Sequence, residues 1–167
     1  MRALVQRVTK AEVRIRAAGS AVAGDLAAHP GSAAIGAGLV VLVGVGRTDS
    51  ESDACQLAAK IAALRIFEDA AGKMNLPVSQ TRGGVLAVSQ FTLFASCRKG
   101  NRPSFEEAAP ADEARGLFQR FVAELRAREL PVETGVFGAS MEIELVNDGP
   151  VTIWLDSREL TSGGGRG

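Results

Sequence analysis

One histidine, His29, is all the imidazole in this chain of 167 residues. A Ser-His-Asp or Cys-His mechanism would hang on that side chain alone, and it sits in a Gly/Ala-rich loop that would have to reach a nucleophile. Cysteine is nearly as scarce. Cys55 and Cys97 are the two present, with no Cys-x-x-Cys pair and no Cys/His cluster, which argues against a structural zinc site. Without a base, Cys97 reads as a small hydrophobe near a strand end rather than a nucleophile. Neither sign of charge is in excess. Lys plus Arg number 19 and Asp plus Glu number 19, so a polybasic coat is excluded and any RNA contact must be a local patch. Long hydrophobic runs are missing too. Leu26 to Gly46 lacks Asp, Glu, Lys and Arg, but His29, Pro30 and glycines interrupt it, and a membrane span needs about 20 predominantly apolar residues. Met1 to Lys10 is charged and alternating, unlike a secretory leader. These absences read as a cytoplasmic chain with reduced thiols, no membrane segment, no cofactor and no metal.

What is present is ordinary globular material. Hydrophobic residues make up 46% and charged residues 23%, and the length fits one domain that buries a core without staples. Ala3 to Thr9 and Glu12 to Arg16 read as short strands, and Leu39 to Val45 as a strand buried on both faces. Ser50 offers a helix N-cap with Asp53 three residues on, and Leu57, Ile61 and Leu64 give that helix an apolar face. Arg65 to Glu68 returns as a strand, and Val85 to Phe94 reads as one strong strand. Pro110 opens a second helix with the stripe Ala114, Leu117, Phe118, Phe121, Val122 and Leu125, stopped by Pro131. Val132 to Phe137, Met141 to Val146 and Val151 to Leu155 read as strands. The pattern predicts an α/β fold: curved, largely antiparallel or mixed sheets with two main helices packed on one side, in a single domain. That domain is expected over residues 1–156, with an inserted loop at 17–34 and a flexible Gly-rich tail at 157–167.

Four segments bear on chemistry. Glu142 and Glu144 share a strand face and read as an acid/base pair or, more simply, as a solvated face. Gly44-Val45-Gly46 lies between a strand and a helix as a dinucleotide fingerprint would, but Asp49 stands where a third glycine belongs. Ser89-Gln90-Phe91-Thr92-Leu93 places an amide and a hydroxyl inside an apolar strand, where both need partners. These groups and nearby backbone N–H groups could face an ester; a polar pair on a wet sheet face is the alternative. Asn147-Asp148-Gly149-Pro150-Val151-Thr152 reads as a hairpin turn, or as a rigid backbone free of side chains that can approach a substrate closely and exclude one stereoisomer.

Taken with Leu4-Val5-Gln6-Arg7-Val8, Gly72-Lys73-Met74-Asn75-Leu76 and Arg102-Pro103-Ser104-Phe105, the last two segments resemble the D-aminoacyl-tRNA deacylases. The matches run in order from the start of the chain to Leu155; Ala17 to Ala34 and the Gly-rich tail depart from the family. The resemblance implies an enzyme that hydrolyses the ester joining a D-amino acid to the terminal adenosine of tRNA, and glycine mischarged on alanine tRNA. It implies a homodimer with the active site at the subunit interface. Gly149-Pro150 would be a cis peptide entering the neighbouring subunit's pocket, with Arg7 holding its orientation. Ser89, Gln90, Phe91 and Thr92 would line that pocket, with backbone N–H groups as an oxyanion site. Phe137 would lie near the adenosine or aminoacyl end. For the nucleophile two readings stand, the Thr92 hydroxyl or a water oriented by the ribose 2′-hydroxyl; the second is favoured because no histidine base serves Thr92, which then positions rather than attacks. Arg98, Lys99 and Arg102 are expected to meet tRNA phosphates. Two other readings stand beside this one: a non-catalytic RNA-binding module on the same fold, and a nucleotide-binding protein using Gly44 and Gly46.

Overall fold

The computed structural model describes residues 1–16 and 31–161. His29, most of the expected 17–34 insertion and the end of the tail lie outside the described residues. The organising element is β1 (Arg2–Ile15), a single 14-residue strand. One edge of β1 pairs antiparallel first with β3 (Gly38–Gly44), then with β2 (Ser32–Ile35). The other edge pairs along its whole length with β8 (Met141–Asp156). From β3 the sheet continues in parallel through β6 (Gly84–Ser89) to β7 (Val132–Thr134). The sheet is therefore mixed, as expected. A small antiparallel pair, β4 (Phe67–Glu68) and β5 (Met74–Leu76), stands apart from it.

Both faces of this sheet are buried. On one, Ala3, Val5, Leu39, Val41, Val43, Val85 and Ala87 pack against α1 (Glu51–Ala62) and α2 (Ala111–Arg126). The helices contribute Leu57, Ile61, Phe121 and Leu125, all fully buried, from apolar positions spaced three and four apart. On the other face Val8, Val13, Val40, Leu86 and Val88 gather with Ile35, Met141, Ile143 and Leu145 as the sheet curls on itself. Ser50 caps α1 as expected: its N–H and hydroxyl both donate to the Asp53 carboxylate, at 2.9 and 2.7 Å. Among the described residues no helix is long and apolar enough to cross a membrane.

Several expectations need correction. The strands expected at 3–9 and 12–16 are one strand, and those at 141–146 and 151–155 are one strand as well. In each case the two halves share a single ladder, because β1 and β8 keep pairing past the interruption. The turn expected at Asn147–Thr152 is accordingly a bulge: Val8 faces Asn147 and Gln6 faces Thr152, so four residues of β8 stand opposite Arg7. The strand expected over Val85–Phe94 ends at Ser89 and gives way to a 3-10 turn, Phe91–Phe94. Burial of Phe94, 1% exposed, pulls the chain inward there, and a Cβ on Gly46 would lie 2.6 Å from its ring. The tail is not free from 157 onward. Ser157–Thr161 forms a short helix, α3, whose fully buried Ser157 takes the Met1 carbonyl and donates to Asp53 Oδ1 at 2.7 Å.

Candidate active site

Ser89 is the last residue of β6 and pairs with Val43 of β3. The Gln90 N–H still donates to the Val43 carbonyl at 2.7 Å, and there the ladder stops. The 3-10 turn that follows leaves its own first N–H groups without internal partners. The Leu93 N–H returns to the Gln90 carbonyl and the Ala95 N–H to the Thr92 carbonyl, but the Phe91 and Thr92 N–H groups reach no main-chain carbonyl among the described residues. Two adjacent donors are thus available for a negatively charged oxygen. Gln90 Nε2 donates to Thr92 Oγ1. No imidazole or carboxylate is hydrogen-bonded to that hydroxyl among the described residues, so nothing there activates it as a nucleophile.

Ser89, Gln90 and Phe91 line a cavity of about 670 Å³, together with Phe105, Phe118, Phe137, Met141 and Ile143. Phe105 meets Phe91 edge to face, with ring centroids 5.0 Å apart. Phe137 tilts against Phe118 at 6.1 Å and lies beneath the Arg115 guanidinium at 4.8 Å. A volume in this range suits a small organic ligand, and walls so apolar favour one with exposed ring surface. Among the described residues no group of three or more His, Cys, Asp or Glu is placed to hold a metal ion.

The remaining expected residues do not line this cavity. Gly149 and Pro150 are exposed at the β8 bulge, joined by a cis peptide bond. Asn147 Nδ2 ties the two ends of the bulge together through the Arg7 and Val151 carbonyls, at 2.9 and 3.1 Å. Gly149 sits at φ +113°, a conformation that side chains resist. Beneath the bulge Arg7 is 5% exposed. Its Nη1 donates to the Ile66 carbonyl at 2.7 Å and its Nη2 lies 3.9 Å from Glu68. Its Nε pairs with Asp148 at 2.9 Å, a charge contact whose N–H is poorly aligned for a hydrogen bond. Arg98, Lys99 and Arg102 are exposed on a loop closed by reciprocal Ser96–Ser104 main-chain bonds, immediately before Phe105 of the cavity wall.

Two alternative readings fail. The Asp49 carboxylate accepts the Gly46 N–H at 2.6 Å and pairs with the Met1 ammonium at 2.9 Å. The turn after β3 is thereby filled by the chain's own anion, which leaves no place for a pyrophosphate. Glu144 pairs with Arg14 at 3.2 Å and Glu142 with Arg16 at 3.3 Å, so these carboxylates form an ion-paired, solvated strand face. What the sequence reading missed is the rest of the cavity wall. Phe118 reads as helix core and Met141 and Ile143 as strand core; only Phe105 lies in a segment already singled out.

The chain is similar to known proteins over nearly its whole length. Residues 4–156 match the sequence model of the D-Tyr-tRNA(Tyr) deacylase family. A D-aminoacyl-tRNA deacylase of Anaeromyxobacter dehalogenans is 58% identical over 96% of this chain and 99% of its own. One of Thermomicrobium roseum is 55% identical over 98% of each chain. A solved structure named c-Myc DNA unwinding element binding protein superposes with a TM-score of 0.79 at 39% identity, covering 93% of this chain and 98% of that one. With so much of its length matched, the chain belongs to the D-Tyr-tRNA(Tyr) deacylase family.

Proposed function

We propose that the protein hydrolyses the ester between a D-amino acid and the 3′-terminal adenosine of tRNA, and likewise clears glycine mischarged on alanine tRNA. The observation that carries this reading is the pair of unengaged N–H groups, Phe91 in the wall of an apolar cavity and Thr92 next to it in the chain. An aminoacyl ester is already activated, so placement and charge stabilisation are the main requirements. The terminal ribose 2′-hydroxyl orients a water. Its oxygen bonds to the ester carbon, and the negative charge on the carbonyl oxygen is held by the two N–H groups. The bond to the ribose 3′-oxygen then breaks, the water's proton passes to that oxygen, and a free D-amino acid and a tRNA with a free 3′-hydroxyl result. Thr92 positions through Gln90 and does not attack.

Chirality is read by main chain in this proposal. The protein acts as a homodimer in the cytoplasm, and Gly149-Pro150 of one protomer enters the cavity of the other. An L side chain would strike that backbone, whereas a D side chain points outward, which rejects the common substrate and tolerates many D-amino acids. Arg7, through Asp148, holds the bulge in place, and Phe137 borders the adenosine or aminoacyl end. Arg98, Lys99 and Arg102 meet acceptor-end phosphates; reversing all three to Glu should flatten the salt dependence of tRNA binding by about 2–3 in log–log slope.

The test is ester loss from D-tyrosyl-tRNA and L-tyrosyl-tRNA at catalytic enzyme levels. Rapid release of D-tyrosine with L-tyrosyl-tRNA spared is expected. The name of the 39%-identical solved structure, a DNA unwinding element binding protein, favours a second reading, nucleic-acid binding without chemistry. Tight tRNA binding with both esters intact would select it.

A further inference from the structure

Within the wall of the cavity stands one charged side chain, Arg47. Its setting is a built one. The segment after β3 and the segment before α2 are stitched together by a Gly46–Ala108 bridge, by the Arg47 N–H to the Glu107 carbonyl at 3.1 Å and by the Ala109 N–H to the Val45 carbonyl at 2.9 Å. The guanidinium is then fixed by its own Nε, which donates to the Glu106 carbonyl at 2.5 Å. A main-chain carbonyl consumes one donor and no charge. Both Nη groups and the full positive charge therefore remain for a partner, and among the described residues no carboxylate pairs with Arg47. The residue is exposed, which places its free end at the rim of the cavity rather than its depth.

We infer that Arg47 binds the phosphate that joins the terminal nucleotide to the rest of the tRNA chain. This rests on the reading above and assigns the site a contact not included in it. At the reacting end the bound ester is neutral, the amino group beside it is itself positive, and the charge that develops on the carbonyl oxygen is assigned to the Phe91 and Thr92 N–H groups. The anion nearest to that end is the 5′-phosphate of the same nucleotide. A cavity this size takes the aminoacyl-adenosine portion, and the phosphate emerges where Arg47 stands. A guanidinium held at Nε presents its two Nη groups as a fork suited to two phosphate oxygens. It acts as a binding residue that sets how deep the ester sits.

The experiment compares D-tyrosyl-tRNA with 3′-O-D-tyrosyl-adenosine, which has the ester but no phosphate, for the wild type, Arg47→Ala and Arg47→Lys. On D-tyrosyl-tRNA the alanine variant should lose at least about tenfold in kcat/KM, mostly in KM, with the log–log slope of KM against salt shallower by about 1. On D-tyrosyl-adenosine the loss should shrink to under about threefold. The lysine variant, which keeps the charge but not the fork, should recover most of the tRNA activity. Equal losses on both substrates, or no loss on tRNA, overturn the inference. Binding of uncharged tRNA followed by anisotropy reads the same contact without chemistry. A Kd unchanged by Arg47→Ala rejects the phosphate contact even if the wild type proves inactive. Failure of the wild type to hydrolyse D-tyrosyl-tRNA would instead reject the deacylase reading.

Discussion

At Gly149 the backbone angle and the neighbours act together. With φ at +113°, a Cβ would lie 2.8 Å from Val151 Cγ2 and 3.2 Å from Arg7 Nη2. Gly149→Ala therefore cannot keep the bulge in its present shape. Because Gly149 and Pro150 are exposed and belong to neither apolar core, the fold should survive. The expected result is a Tm within about 3 °C of wild type and at least a tenfold fall in D-tyrosyl-tRNA hydrolysis or in D-over-L selectivity. Unchanged turnover and selectivity would remove the bulge from the site. Thr92 gives the opposite expectation. Its hydroxyl accepts from Gln90 and meets no base, so Thr92→Ala should stay within about tenfold of wild-type kcat. A drop of several orders of magnitude in a folded variant would instead identify Thr92 as the nucleophile.

Helix α1 carries a prediction at the level of an element. Burial works against ionisation of Asp53, but hydrogen bonds from the Ser50 hydroxyl, the Ser157 hydroxyl and the Ser50 N–H, with help from the Met1 ammonium, outweigh it and hold the carboxyl below the usual carboxylate range. A carboxyl depressed in the folded state adds stability above its unfolded pKa of about 3.9 and loses it as pH falls through the lower folded value. Asp53→Asn should thus cost roughly 1–2 kcal/mol at pH 7, seen as a Tm several degrees lower. The gap to wild type should close below about pH 4; a gap independent of pH would mean that the charge is not what matters. This cap was legible from Ser50 and Asp53 alone because its groups are three residues apart. The α2 stripe was legible for the same local reason. The continuity of β1 and β8 was not, since their ladder joins residues more than 100 positions apart. Nor was the break after Ser89, which depends on where Phe94 finds its burial. The candidate site divides the same way: Gln90 and Thr92 stood out as polar groups in an apolar run, and Gln90 does line the cavity, whereas Phe118 and Arg47 become wall residues only once α2 is laid against β3 and β6.

On the scale of the molecule, one protomer holds the two parts of the candidate site apart. Ser89, Gln90, Phe91 and Phe137 line the cavity, while Gly149, Pro150 and Arg7 belong to a bulge absent from its lining. The bulge is exposed, and so are the large apolar side chains Phe91, Val146 and Trp154. A two-fold partner would bring like surfaces together and let each bulge serve the other's cavity, since in an isologous contact residue i of one copy meets residue j of the other and j meets i. Mixing two variants, each defective in one part and each first shown to hydrolyse D-tyrosyl-tRNA at under about a tenth of the wild-type rate, tests that arrangement. Ser89→Trp fills the cavity but leaves the bulge intact; Gly149→Ala spoils the bulge but leaves the cavity open. If each site joins one chain's cavity to the other's bulge, a mixed dimer carries one site with both parts sound. Random reassociation makes about half the dimers mixed, so the mixture should recover about a quarter of the wild-type activity per site. If cavity and bulge of the same chain worked together, every site in the mixture would carry one defect and no activity would return. Co-expression with two different affinity tags and isolation of the doubly tagged dimer sharpens the readout to about half the wild-type activity, and sedimentation of the wild type as a monomer would deny the arrangement outright.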